Sequence, residues 1–310
     1  MNNPAPDDTV AVIVVTFNSA ELLADLVASL PNGLSGLTWQ LIFVDNASSD
    51  ASVETARRLA PDATIVETGR NAGYAAGINA GVAAAGAYSV VLILNPDVRL
   101  APGCVPALIT AVGQPGTGIA VPLLVDAKGE RIDSLRREPT ISRVVADALL
   151  GARRAGRLWN LGEVVSDPAK YQTETLTDWA EGSTLLVSSQ CWARCGPWDE
   201  SFFLYSEETD FALRARDAGL ATRFTPAARA QHLEGGSAQS PALWTLLTIN
   251  RLRLYRRRHN AIGAVVFWAA LVVREASRAA LGQSTSRAAV RALLSWRRLR
   301  ERPGPHSLRK

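Results

Sequence analysis

LILNPDVRL, residues 92–100, closes an apolar run that begins at Val90 and stops at Asn95-Pro96-Asp97. A continuous run of Val, Leu and Ile predicts a strand buried on both faces, as parallel sheets require. Asn, Pro and Asp are common turn residues, so a turn alone would explain the stop. The neighbouring segments add to that account.

Upstream, VAVIVVT (10–16) predicts another buried strand, and Ser19 is placed to cap a helix over Ala20 to Leu30. WQLIFVD (39–45) predicts a second strand ending on Asp45, followed by a helix over Asp50 to Leu59 and a third strand over ATIVET, 63–68. Glycines 69, 73, 77, 81 and 86 mark GRNAGYAAGINAGVAAAG as a small-residue helix leading to the strand at Val90 to Leu94. Strand and helix alternate through short connections, which implies an α/β fold with a Rossmann-like, mostly parallel sheet covered on both faces. Ligands of such sheets bind beyond the carboxyl ends of the strands. Phe17-Asn18, Asp45-Asn46 and Asn95-Pro96-Asp97 all fall there, so three polar groups converge on one rim.

Downstream, Pro102 to Val112 predicts a helix and GIAVPLLVD (118–126) a strand. Residues 127–178 are polar and include Arg137-Glu138-Pro139 and GARRAGRLWNLG, which reads as a variable, partly mobile insertion able to close over a substrate. STLLVS (183–188) resumes the sheet. DESFFLYSEETDFALRARDAG (199–219) enters a helix whose acidic start and later arginines suit the helix dipole, with Gly219 as its C-cap and LATRFTP as a short strand after it.

The 310 residues, 47% hydrophobic and 20% charged, have the composition of an ordinary globular protein. Three cysteines, Cys104, Cys191 and Cys195, are an odd, sparse set with no second Cys/His pair nearby for zinc, so reduced thiols are expected. MNNPAPDDTV lacks the basic and apolar regions of a signal peptide. The net charge of +4 is uneven: Arg251 to Lys310 holds 15 Lys/Arg against Glu275 and Glu301, a net of +13, and the rest carries −9. An acidic body with a basic tail points the tail toward an anionic surface.

Several residues carry possible chemistry. Asp45 can face a base N–H or cap the next helix. The glycine-rich turn after the third strand permits close approach of a phosphate or ribose. Asp97 is suited to a hard divalent cation shared with phosphates, Mg²⁺ or Mn²⁺, with Asn95 adding a neutral oxygen. His232 in QHLEGGS is a structural histidine or a second metal ligand. Glu207, Glu208 and Asp210 lie within four residues of one another, either as a solvated helix start or, beside the apolar WDESFFLY, as the source of a general base.

The motifs VIVVTFN, FVDNASSD, GRNAGYAAGINAG, LILNPD, WAEGSTLLV, WDESFFLYSEETDFALRARDAG and HLEGGS, in this order over about residues 9–237, resemble family 2 glycosyltransferases, most of all the bacterial rhamnosyltransferase branch. The resemblance implies a GT-A fold and an inverting transfer from a nucleotide-diphosphate sugar with a divalent metal. By position it implies Thr16, Asn18 and Asp45 in the nucleoside pocket and Asn71 and Gly73 near nucleotide and sugar. Asp97 would bind the metal, with His232 approaching metal or diphosphate, and Trp179, Glu181 and Gly182 would border donor sugar or acceptor. Glu208 falls where the family has its catalytic Asp. Two departures stand out: Asn95 replaces the first DxD carboxylate, and Glu208 replaces Asp, which leaves Glu207 or Asp210 as alternative bases. The implied donor is dTDP-rhamnose, with UDP- or GDP-sugars or a catalytically silent glycan-binding member as rivals. The implied acceptor is a polyprenyl-linked or cell-envelope glycan.

These readings divide the chain into a catalytic unit over 1–240, with a nucleotide-binding half at 9–126 and an acceptor half at 127–240, and a basic helical extension over 241–310. In that extension the uncharged run Ala261 to Val273 has thirteen residues, too short to cross a bilayer. It reads equally as an interfacial amphipathic helix, with Trp268 and the arginines at anionic head groups, or as a helix packed on the catalytic unit. No nucleic-acid-binding module accompanies the charge. The expectation is a cytoplasmic protein peripheral to the inner face of the plasma membrane, open to homo-oligomer formation.

Overall fold

The computed structural model describes residues 9–157, 161–233 and 240–308; the N-terminal residues read for a signal peptide, part of GARRAGRLWNLG and the end of HLEGGS lie outside them. In chain order the first half holds β1 (Thr9–Thr16), α1 (Leu23–Gly33), β2 (Thr38–Asp45), α2 (Ser52–Leu59), β3 (Thr64–Glu67), α3 (Tyr74–Ala84), β4 (Val90–Leu94), β5 (Val98–Leu100), α4 (Cys104–Val112) and β6 (Thr117–Val125). The second half holds β7 (Leu135–Arg136), α5 (Ile141–Leu150), α6 (Ala152–Arg157), β8 (Thr175–Thr177), β9 (Trp179–Ala180), β10 (Thr184–Ser188), α7 (Ser189–Cys195), α8 (Glu207–Asp217) and β11 (Ala221–His232). Four helices end the chain: α9 (Pro241–Arg258), α10 (Ala261–Ala280), α11 (Ser284–Leu293) and α12 (Trp296–Arg300).

Among the described residues one nine-stranded sheet runs β3-β2-β1-β4-β10-β6-β11-β5, with β8 beside β11. β1 to β4 are mutually parallel and β10 runs against both its neighbours. Along β1, Ala11, Ile13 and Val15 enter one core layer and Val10, Val12 and Val14 the other, which is why the run is apolar throughout. The first layer is closed by α3, which approaches so tightly that a Cβ on Gly81 would lie 2.5 Å from Ile13 Cγ2. The second is closed by α1 and α4 through Leu23, Leu26, Leu30, Val105 and Leu108.

Several expected elements change. Ser19 does not cap a helix: its hydroxyl bonds the Phe17 carbonyl, Ala20–Leu22 forms a 3₁₀ turn, and the Ala20 N–H goes to Asp50. The expected short strand LATRFTP extends to His232, and β5 follows Asp97 at once because Val98 and Leu100 pair with β11. The segment 199–219 enters its helix at Glu207, so the acidic residues fall in the first turn of α8 as expected. A 3₁₀ turn covers Glu200–Phe202, then Phe203, Tyr205 and Ser206 adopt φ of 67°, 69° and 75° before α8 starts. Gly219, at φ 79°, does end α8. All three cysteines are free and buried.

The insertion at 127–178 is not loose, since α5 packs on α10 through Val144, Phe267 and Leu271. A buried ionic cluster backs this contact. Arg251 pairs with Glu163 and lies 4.0 Å from Asp147, Arg274 pairs with Glu275, and the Trp244 indole N–H donates to Glu275 at 2.8 Å. The C-terminal helices also reach the strained loop. Asn250, fully buried on α9, donates to the carbonyls of Phe202 and Leu204 at 2.8 Å and of Tyr205 at 3.2 Å. Trp268 turns inward, its indole N–H donating to the Leu293 carbonyl at 2.8 Å, which corrects its expected place at head groups.

Candidate active site

Parallel register puts Thr16 beside Asp45 at the ends of β1 and β2. The buried Asp45 carboxylate accepts from the Thr16 hydroxyl at 3.1 Å, the Ser48 N–H at 2.8 Å and the Ser48 hydroxyl. Asn18, at φ 53°, accepts from the Ser49 N–H at 2.8 Å and donates its own N–H to Ser48. The loops after β1 and β2 are thus stitched into one rim. Asn71 accepts the Gly73 N–H at 3.2 Å, and Asn46 donates to the Gly73 carbonyl at 3.0 Å, so the glycine-rich turn is tied to the same rim.

Gly73 also joins the two halves of the site. Its φ is 94°, and a Cβ there would lie 2.3 Å from the Phe203 carbonyl oxygen, so only glycine fits. The next N–H, of Tyr74, donates to that same carbonyl at 2.8 Å. The glycine-rich turn is thereby locked against the left-handed loop that delivers Glu207 and Glu208.

After β4, the Asn95 N–H donates to the Ser183 carbonyl at 2.9 Å and Val98 N–H returns to Asn95, so Asn-Pro-Asp is a turn and a site element at once. Pairing of β5 with β11 sets His232 opposite Val98, and His232 Nε2 lies 3.4 Å from Asp97 Oδ2. His232 Nδ1 lies 2.9 Å from Glu181 Oε1. Burial opposes charge on His232, but Asp97 and Glu181 outweigh it and push its pKa up to about 10. Burial would raise Glu181, yet His232 holds it below its usual range.

Glu181 leads through Gly182 to the base candidates. A Cβ on Gly182 would lie 3.3 Å from Glu208 Cβ, and the Gly182 carbonyl accepts the Tyr74 hydroxyl at 3.1 Å. Burial, reinforced by the charge of Glu181, raises Glu208 to about 7. Burial and then Glu208 push Glu207 well above the carboxylate range, and Glu207 is only 1% exposed. Asp210 instead pairs with Arg214 Nε at 2.8 Å across one helical turn. Burial, and then the charges of Glu207, Glu208 and Asp97, push the Tyr74 phenol well above its usual range. Trp179 is buried, its indole N–H donating to the Arg137 carbonyl at 3.0 Å.

The donor set suits a particular kind of metal. Among the described residues no group of three or more His, Cys, Asp or Glu is arranged to cage an ion. Asp97 is an oxygen ligand for a hard ion that takes its remaining ligands from substrate phosphates, and His232 would join it on losing its Nε2 proton as the metal binds.

Residues 11–162 match the glycosyl transferase family 2 profile. The N-acetylglucosaminyl-diphospho-decaprenol L-rhamnosyltransferase of Mycobacterium tuberculosis is 28% identical over 236 residues, 73% of this chain and 76% of that protein. Over residues 11–162 this chain is a member of glycosyl transferase family 2. The rhamnosyltransferase WbbL of Escherichia coli is 26% identical over 46% of this chain and 51% of its own length. The mannosyltransferase of Pyrobaculum calidifontis, solved with GDP-Man and Mn²⁺, superposes with a TM-score of 0.58 at 15% identity, over 91% of this chain and 78% of that one. Glucosyl-3-phosphoglycerate synthase of Mycobacterium tuberculosis, solved with UDP and Mn²⁺, gives 0.52 at 16% identity over 80% of each chain. The fold is therefore GT-A, and the protein is a rhamnosyltransferase-like glycosyltransferase.

In this glycosyltransferase some site residues escaped the motif reading. Arg99 braces the Asn-Pro-Asp turn by donating to Pro96 and Leu22 carbonyls, each at 2.9 Å. Its signal was its place two residues after Asp97. Tyr74 and Asn46 lie inside quoted motifs, but their partners are 108 and 27 residues away. Arg136 and Asn250 carry no local signal.

Proposed function

We propose that this chain is an inverting, metal-dependent glycosyltransferase that moves rhamnose from dTDP-rhamnose onto a hydroxyl of a lipid-linked or cell-envelope glycan. The observation that carries this reading is the continuous path from Asp97 through His232, Glu181 and Gly182 to Glu208. The activity named for the Mycobacterium tuberculosis relative supports the sugar and acceptor class.

The rim of Thr16, Asn18 and Asp45 receives the nucleoside, and Asn71 and Gly73 border the diphosphate. A divalent ion held by Asp97 and His232 would supply neutralisation of the diphosphate charge. Glu208 takes the proton of the acceptor hydroxyl as that oxygen bonds the anomeric carbon. The bond from that carbon to the diphosphate breaks on the opposite face, which inverts the centre, and the nucleoside diphosphate leaves with the bonding pair.

Asp97→Ala is expected to lower nucleotide release with Mg²⁺ or Mn²⁺ by about 10–100-fold, the usual scale for a ligand-shell loss. Turnover equal to wild type would remove Asp97 from the reaction. dTDP-rhamnose is expected to raise the melting temperature more than UDP- or GDP-sugars, and the reverse ranking would replace the donor.

The acceptor class also places the enzyme at a bilayer. One face of α10 packs on α5, and its other face exposes Ile262 (79%), Val265 (62%) and Val273 (62%). No helix among the described residues is long and apolar enough to cross a membrane. An apolar face flanked by the C-terminal arginines suits the surface of an anionic leaflet. Sedimentation with phosphatidylglycerol vesicles but not phosphatidylcholine vesicles is expected, and Ile262→Asp/Val265→Asp is expected to abolish it. Equal pelleting of the double variant would sink the assignment.

A further inference from the structure

Asp97, Glu181 and Glu208 put negative charge at the site that His232 offsets only in part, so an acceptor bearing phosphate would meet like charge there. Arg136 is the countercharge. It ends β7, whose antiparallel pairing with β9 sets it opposite Trp179, two residues before Glu181. Its guanidinium carbon lies 5.9 Å from the Trp179 ring centroid, and its charge acts on both Glu181 and Glu208.

The side chain is anchored without using its charge. Nη1 donates to the Asp133 and Leu135 carbonyls, the latter at 3.1 Å, while the Asp133 carboxylate is taken by Arg131 at 2.7 Å. Among the described residues no carboxylate forms an ion pair with Arg136, and its Nε and Nη2 make no hydrogen bond. A half-buried arginine held in place by carbonyls and an indole, with Nε and Nη2 left without partners, is a preformed fork for phosphate oxygens.

We propose that Arg136 binds a phosphate or diphosphate on the acceptor and so selects acceptors that carry one. This rests on the glycosyltransferase reading above and adds the charge class of its second substrate. Arg136 acts in binding, and the bond-making atoms remain those at Glu208. Acceptor phosphate and donor diphosphate share this chemistry, so the test separates them.

Transfer is measured to two acceptors with the same sugar, one linked through diphosphate to a short isoprenoid and one an uncharged alkyl glycoside. Arg136→Ala is expected to raise KM for the diphosphate acceptor by about 10–100-fold, the scale of a lost charge-assisted pair, with Arg136→Lys in between. KM for the glycoside and for the donor should not change. Pyrophosphate titrated into metal-free enzyme saturated with dTDP should bind wild type and not Arg136→Ala, a readout independent of turnover. Equal losses on both acceptors, a loss confined to the donor, or unchanged pyrophosphate binding would each overturn the proposal. If wild type binds pyrophosphate through Arg136 yet releases no nucleotide from any donor, the glycosyltransferase reading fails while the anion site stands.

Discussion

Glu208→Gln is expected to lower sugar transfer by about 10²–10⁴-fold, the range of a lost general base, while the melting shift caused by dTDP is retained. Glutamine keeps the shape and removes proton acceptance, so binding and chemistry separate. Glu207→Gln is expected to keep most activity, because Glu207 is buried behind Glu208 and burial holds it protonated. Asp210→Asn removes the partner of Arg214 and should affect stability more than transfer. The order Glu208 far below Glu207 and Asp210 is the result expected; Glu207→Gln as the most damaged variant would move the base one residue.

The same carboxyl sets the pH dependence. Glu208 must be ionised to accept a proton, and it titrates at about 7 in a close pair with Glu207. Transfer should therefore rise between about pH 6 and 8, with an apparent pKa that belongs to the pair. Stability has the opposite sign. The fold favours the protonated carboxyl, so the folded state binds more protons than the unfolded chain between the ordinary value of 4.5 and about 7, and stability falls as pH rises through that window. A profile flat from pH 6 to 8, with chemistry limiting, would contradict the assigned base.

Arg251→Ala is expected to cost about 3–5 kcal/mol of unfolding free energy, the cost of leaving a buried charge without its partner. Arg251 is the shared partner of Glu163 and Asp147, all three buried. Burial raises the Asp147 pKa even with the arginine present. In the variant Asp147 loses the charge that opposes its raised pKa and is expected to protonate more readily, so the gap to wild type should narrow as pH falls toward 5. Denaturant midpoints at pH 8 and pH 5 check this, and a loss below about 1 kcal/mol at pH 8 would mean that water already screens the cluster.

The insertion shows why part of the fold was hidden. Residues 127–178 read as a loose polar segment because charge in sequence suggests solvent. Asp147 and Glu163 are buried only because Arg251, 88 residues beyond Glu163, comes to meet them. The loop ahead of α8 has the same origin. Its left-handed path through Phe203, Tyr205 and Ser206 survives because Asn250 and the Tyr74 N–H take up the carbonyls it leaves. Ser19 lost its cap role to Asp50 in the same way, through a loop-to-loop bond.

Residue order alone was sufficient for the buried strands at 9–16, 38–45 and 90–94, the helices between them and the rim where Asp45 and Asn95-Pro96-Asp97 gather. Those features follow from apolar periodicity and from the single face on which parallel strands end, and both are local or nearly so. Folding in three dimensions was needed to seat His232 between Asp97 and Glu181, to bring Glu208 against Gly182 and to anchor the C-terminal helices under the base loop. Each of these joins groups far apart in the chain, where burial and charge pairing outweigh local preference.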